Sequence, residues 1–277
     1  MMIFFYSMAG ILGLLVGSFL NVVILRMRTN HSLLGRSKCV HCHQQLHWYM
    51  LIPVLSYMAQ RGRCFFCKKC ISTQYVLVEI LTAVLFVAVT YHFAPLVYGG
   101  IAYALLNMVI WYVITALFIV LSVYDIKHMI VPDRVVIPFV SIAFLSLFFA
   151  VPHTLTWGTV ATLPIFSHGI AGPILALPFL AIWFFSKGRL FGFGDIKIIV
   201  GIGWLLGLGW GLLALMLSFW IAVCVILGIS LIHMIRSRSW RSSFSMKQAI
   251  PFGPFLVTGV YTTLFFGNRI ALIIFGL

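Results

Sequence analysis

Acidic side chains are what this sequence most conspicuously lacks. Its 277 residues include four, Glu79, Asp125, Asp133 and Asp195, against 18 Lys and Arg. Charged residues make up 8% of the chain, where a soluble domain carries roughly a quarter. That scarcity excludes a water-solvated globular fold. Low-complexity tracts are absent, and so are internal repeats, apart from a three-residue echo, "DIK", at Asp125–Lys127 and Asp195–Lys197.

What is present is apolar. Hydrophobic residues reach 63%, with a mean hydropathy of +1.14. Runs long enough to span a bilayer, roughly 17–25 residues each, fall near 3–25, 76–98, 101–124, 135–151, 169–186, 198–215, 217–235 and 253–275. The region 198–235 admits other divisions. These runs predict an all-α polytopic membrane protein of about eight transmembrane helices.

The net charge of +14 raises nucleic-acid binding as an alternative, but the basic residues are segregated. Eight lie in 26–75, two in 125–134, three in 187–197 and four in 236–247, leaving only Arg269 elsewhere. The intervening connections near 92–100, 152–168 and 207–211 contain none. Such alternation orients membrane proteins with the basic loops in the cytoplasm. It predicts a multi-pass membrane protein with both termini outside, lipid as its surround and no nucleic-acid partner. Arg26 and Arg28 follow the first run and nothing basic precedes it, so the run reads as a retained span rather than a cleaved signal.

Only one connection is large enough to fold by itself. The expected organisation is therefore a first helix over 1–25, a cytoplasmic segment over 26–75 and a membrane core over 76–277. The segment holds five of the six cysteines, including "CVHC" (Cys39, Cys42) and "CFFC" (Cys64, Cys67) with 21 residues between. Two CxxC clips supply four thiolates for a closed, tetrahedral and hence structural zinc site. Arg36, Lys38, Arg61, Arg63 and Lys68 favour the thiolate form. Cys70 makes a third CxxC with Cys67, so a shifted ligand set stays open, as does substitution by His41, His43 or His47. Cys224, within an apolar run, is expected to be a packing residue.

Burying an ionisable residue at the centre of a membrane helix costs at least about 2.5–3.5 kcal/mol. Asp125 ends the third run and Asp195 opens the sixth, which puts both near the cytoplasmic boundary. Residues two apart do not share a helix face, so Lys127 and Lys197 can reach the head groups while each aspartate turns into the bundle. Two carboxylates at one depth can share a proton and activate water. Gly192 and Gly194 let the backbone bend and a substrate approach Asp195. The alternative is that each aspartate pairs with a neighbouring Lys or Arg. Asp133, after Pro132, is expected to cap a helix. Glu79 is either the partner of a basic residue or part of a site in the cysteine segment.

These residues together resemble the type IV prepilin leader peptidases. "GSFLNVVILR" (Gly17 to Arg26) is similar to the family's opening signature, and 36–79 to its cytoplasmic zinc segment. "DIKHMIVPD" and "FGFGDIK" resemble its two catalytic motifs, the second being the GxGD signature. The resemblance implies an intramembrane aspartic endopeptidase. Asp125 and Asp195 would be its catalytic pair, with Gly192 and Gly194 in support. Cys39, Cys42, Cys64 and Cys67 would be its metal ligands. It further implies prepilin or pseudopilin substrates cleaved at the cytoplasmic face, and N-methylation of the new terminus from S-adenosylmethionine. Met50, Leu51, Gln74 and Val76 depart from the family pattern, all in the segment associated with methyl transfer. The "LIPVLSY" form is similar to members serving competence pseudopilins.

Two other readings compete. A proton- or cation-coupled transporter would use buried aspartates but leaves the cysteines idle. A zinc-stabilised scaffold for pilus assembly would keep both aspartates salt-bridged.

Overall fold

The computed structural model describes residues 2–27, 35–98, 104–149, 164–237 and 250–275. Of the expected outside connection 152–168, residues 152–163 lie outside the described residues and 164–168 already belong to a helix, while most of the basic stretch 236–247 also lies outside them. The helices are α1 (Met2–Arg26), α2 (Leu55–Ala59), α3 (Gln74–Tyr98), α4 (Ala104–His128), α5 (Asp133–Phe149), α6 (Pro164–Ser186), α7 (Phe193–Ser237) and α8 (Gly253–Phe275). Among the described residues, strand-like pairing is limited to two isolated bridges in the cysteine segment. All-helical structure follows from the apolar composition, because a helix satisfies its backbone polar groups without water.

Six of these helices are long and apolar enough to cross a membrane. The remaining difference from eight has two sources. α5, at 17 residues, is short for a span, and α7, at 45 residues, is two legs. Gly207 interrupts α7 with φ 78° and ψ −179°, a conformation that glycine adopts without steric cost. Phe191 and Phe219 both pack on Phe179 and on Phe252. A straight helix would hold positions 193 and 219 about 39 Å apart at 1.5 Å per residue. The chain therefore folds back at Gly207, and the outward leg is Phe193–Leu206. The reversal falls within the expected connection 207–211, inside what a hydropathy reading gives as the span 198–215.

The chain forms two compact units, Met1–Val120 and Leu121–Leu277. In the first, α1 lies directly on α3. A Cβ at Gly13 would sit 2.6 Å from the Ala83 Cα, and one at Gly17 would sit 2.7 Å from the Glu79 Cα. This is the close backbone approach that a GxxxG face permits. Asn21 Nδ2 donates to the Tyr75 carbonyl at 3.0 Å and fixes the start of α3. Tyr112 of α4 stacks on Phe86 and shares a 2.6 Å hydrogen bond with Thr90.

In the second unit, α5, α6 and α8 pack against α7. The core around them includes fully buried Phe139, Ile198, Ile199, Ile202 and Leu256.

Candidate active site and metal centre

Asp125 lies in the last turn of α4 and Asp195 in the first turn of α7, both inside the second unit. Both are buried, Asp125 at 4% exposure and Asp195 at 9%. The ends of α4 and α7 that carry them meet where Val131 packs on Gly194, the residue before Asp195. Asp125 Oδ2 accepts a 2.9 Å hydrogen bond from the Gly253 N–H, and Asp195 Oδ1 has no hydrogen-bond partner among the described residues. Neither aspartate is ion-paired among the described residues. A bare carboxylate oxygen beside a second carboxylate is the arrangement that can share a proton and hold a water.

The glycines act differently from each other. A Cβ on Gly192 would meet Asp195 Oδ2 at 3.1 Å, so its absence leaves room for the carboxylate itself. A Cβ on Gly194 would lie 2.5 Å from the Val131 Cβ. The space at Gly194 is thus filled by the chain following α4, not kept open for substrate as the sequence suggested.

Asp133 also departs from expectation. It is the first residue of α5, and the Pro132 carbonyl before it accepts from the Val135 and Val136 N–H groups. The Asp133 carboxylate instead pairs with Lys197 Nζ at 2.6 Å, while that ammonium also lies over the Phe193 ring. Lys197 is therefore anchored to the protein.

In the first unit, one Sγ each from Cys39, Cys42, Cys64 and Cys67 lie within 4.8 Å of one another. Zn–S bonds of about 2.3 Å in a tetrahedron place sulfurs about 3.8 Å apart, and Cys39 and Cys67 are 4.0 Å apart. The two clips are copies of one turn. His43 and Lys68, each just past the second cysteine, both have φ 57°. Each donates its N–H to the carbonyl of the first cysteine at 3.0 Å. Bridges Lys38–Gln45 and Arg63–Cys70 close the two turns identically. Cys70 is exposed and outside the cluster, and so are His41, His43 and His47.

The charges of these thiols are unevenly held. Burial raises Cys39, but N–H groups of Cys42 and His41 and the thiols of Cys64 and Cys42 outweigh it and bring it to about 7. At Cys42 the Gln44 N–H lowers the value, yet lost hydration and the neighbouring sulfurs push it up to about 11. One thiolate disfavours the next, a conflict that a bound divalent cation removes. The four-cysteine set fits a metal.

Glu79, buried on α3, has no ion pair among the described residues. Its Oε2 accepts the Val54 N–H at 2.8 Å, and Ser18 of α1 also bonds the carboxylate. Val54 has φ 59° and ψ −51°, and the Leu55 N–H closes on the Pro53 carbonyl at 2.5 Å. This is a classic γ-turn, strained for a β-branched residue.

Two family models match the chain. Residues 11–93 match the bacterial peptidase A24 N-terminal domain, and 112–228 match the type IV leader peptidase family. A Pseudomonas putida protein named prepilin leader peptidase/N-methyltransferase is 31% identical over 96% of this chain and 92% of its own length. Similarly named proteins from Burkholderia pseudomallei strain 1026b and Bacillus subtilis strain 168 are 30% and 28% identical. They cover 98% and 95% of the chain, and 88% and 95% of their own lengths. The chain belongs to the type IV leader peptidase family. No solved structure matches it.

For this leader peptidase family member, sequence reasoning missed three contacts at the sites: Gly253 on Asp125, Lys197 with Asp133, and Val54 on Glu79. Each joins residues distant in the chain and of unremarkable type. The paired turns had a visible signal in "KCVHCHQQ" and "RCFFCKKC", two CxxC units each flanked by a basic residue.

Proposed function

We propose that this protein is a prepilin leader peptidase that also N-methylates its product. The single observation that carries the peptidase reading is the pair of buried carboxylates, Asp125 and Asp195, one of them with an unpartnered oxygen. One carboxylate takes a proton from water as the hydroxide adds to the scissile carbonyl carbon. The other gives its proton to the carbonyl oxygen, and the proton gained then serves the leaving amine as the peptide C–N bond breaks. No charge need leave the site during the cycle, which suits a setting poor in water.

The substrates are prepilins or pseudopilins, cut where a basic leader meets the apolar helix. The protein lies in the bacterial inner membrane with both termini outside and the cysteine segment in the cytoplasm, a reading supported by the segregation of basic residues. Cys39, Cys42, Cys64 and Cys67 would hold a structural zinc, with no position left for a reacting ligand. S-adenosylmethionine, when bound, supplies the methyl group. The exposed faces of Trp48, Tyr49 and Phe66, gathered around His47, fit a sulfonium cation.

The test is incubation of the purified protein with a prepilin and S-adenosylmethionine, followed by mass analysis. The expected product has lost its leader and gained one methyl group. Asp125→Asn and Asp195→Asn should each abolish cleavage, and robust cleavage by either variant refutes the dyad.

A further inference from the structure

We propose that the head of α8 is a third component of the active site, in which the Gly253 N–H keeps Asp125 as the ionised, water-activating carboxylate while Asp195 carries the proton. This inference rests on the dyad reading above and assigns its two roles.

The starting point is the hydrogen-bond balance of α8. A helix leaves its first N–H groups without internal acceptors. At this end the Phe252 carbonyl accepts from Phe255 and Leu256, and Pro254 has no N–H. The remaining donor at the tip is Gly253, and it is aimed at Asp125 Oδ2. An N–H that faces an acceptor at a helix N-terminus favours negative charge on that acceptor.

Asp195 has the opposite surroundings. It sits in the first turn of α7, but its buried Oδ1 has no donor among the described residues, so no hydrogen bond holds a charge on that oxygen. When two adjoining carboxylates hold one proton, it resides on the one that lacks donors. The charged groups near Asp125 do not reverse this. From α7 the nearest charged group is Asp195, and α8 carries no Asp, Glu, His, Lys or Arg before Arg269. On α4 itself, the His128 ring packs on Tyr124, and Lys127 is two residues away, off the shared face.

The local structure is built to keep this contact. A Cβ at position 253 would meet both Asp125 Oδ2 and Leu121 Cδ2 at 2.9 Å, so any side chain displaces the carboxylate. Phe252 packs against Phe191, just ahead of Asp195, and against Phe219 on the returning leg of α7. The turn "PFGPF" is thereby tied to both aspartates: to one by a hydrogen bond, and to the approach of the other by an aromatic contact.

The experiment removes the donor without adding an atom. Cell-free synthesis into lipid vesicles can place glycolic acid at position 253, turning the amide into an ester. The pH dependence of kcat/KM for prepilin cleavage is then compared with the parent, beside Gly253→Ala, Asp125→Asn and Asp195→Asn. Loss of a hydrogen bond to a carboxylate should move the acid limb up by about one pH unit and leave the alkaline limb in place. Gly253→Ala should show the same displacement with a lower plateau. A lowered plateau with an unmoved acid limb in both variants would make Gly253 structural only and overturn the proposal. An ester protein that melts like the parent yet cleaves at no pH also overturns it, because a displaced limb is expected, not a lost one. Cleavage by either Asn variant would instead overturn the underlying dyad.

Discussion

Gly194 and Val131 occupy one another's space: a single carbon added to the glycine would lie 2.5 Å from the Val131 Cβ. This contact joins the loop after α4 to the first turn of α7, and so joins the two segments that carry Asp125 and Asp195. Gly194→Ala should impair cleavage by about fivefold or more, since forcing a methyl group into a packed site costs about 1–3 kcal/mol and shifts backbone. Val131→Gly should restore part of that loss in the double variant. A fully active Gly194→Ala enzyme in the prepilin cleavage assay would show the contact to be dispensable.

The Val54 turn depends on Glu79 for its acceptor. Glu79→Ala leaves a buried N–H and removes what holds a strained residue in place. Hydrogen bonds to charged groups contribute about 1.5–3 kcal/mol, so methyl transfer should fall by about ten- to a hundredfold. Glu79→Gln keeps an acceptor oxygen and should retain most activity. Mass analysis of pre-cleaved pilin after incubation with S-adenosylmethionine reads the difference.

The metal centre should behave as a fold-bearing unit. Changing Cys39 and Cys42 to Ser removes two of four ligands, and small metal sites draw their folding energy from binding. Elemental analysis should find about one zinc per chain in the parent and little in the variant. Methyl transfer should fail while leader cleavage remains detectable. Cys70→Ser should keep its metal, because that thiol lies outside the cluster.

Asp133 and Lys197 form an ion pair open to solvent, with side chains 61% and 32% exposed. Such pairs contribute about 0–1 kcal/mol. Asp133→Asn should therefore leave cleavage within about fivefold of the parent, measured at a single substrate concentration below KM. A hundredfold loss would place the pair within the catalytic apparatus.

Much of this was legible because scarcity makes residues informative. With four acidic side chains, any two at the ends of apolar runs attract attention, and CxxC spacing carries its ligand geometry with it. Apolar runs likewise announced the helices, although hydropathy could not divide 193–237. Its run from Ile198 to Ile232 has no charged residue to mark a break, and the decision lies in one glycine's backbone angle at position 207. The role of Gly253 was hidden for a related reason. It acts through its backbone N–H, which every residue but proline possesses, so its type alone says nothing of a carboxylate 128 positions earlier. Asp133 misled because capping and ion pairing use the same side chain, and only the fold brings Lys197 to it.

The fold-back at Gly207 also makes the lipid a variable of the reaction. The outward leg, Phe193–Leu206, extends about 21 Å at 1.5 Å per residue, some 9 Å short of a hydrocarbon core of about 30 Å. The reversal packs against the His168 ring and beside the Trp204 indole bonded to the Gly169 carbonyl, and with Asp195 at one boundary as expected it would lie below the opposite surface. A bilayer adapts to a short element by thinning around it, at a cost that rises with the mismatch. In vesicles of increasing acyl-chain length, thickness itself would act as an inhibitor with no binding site.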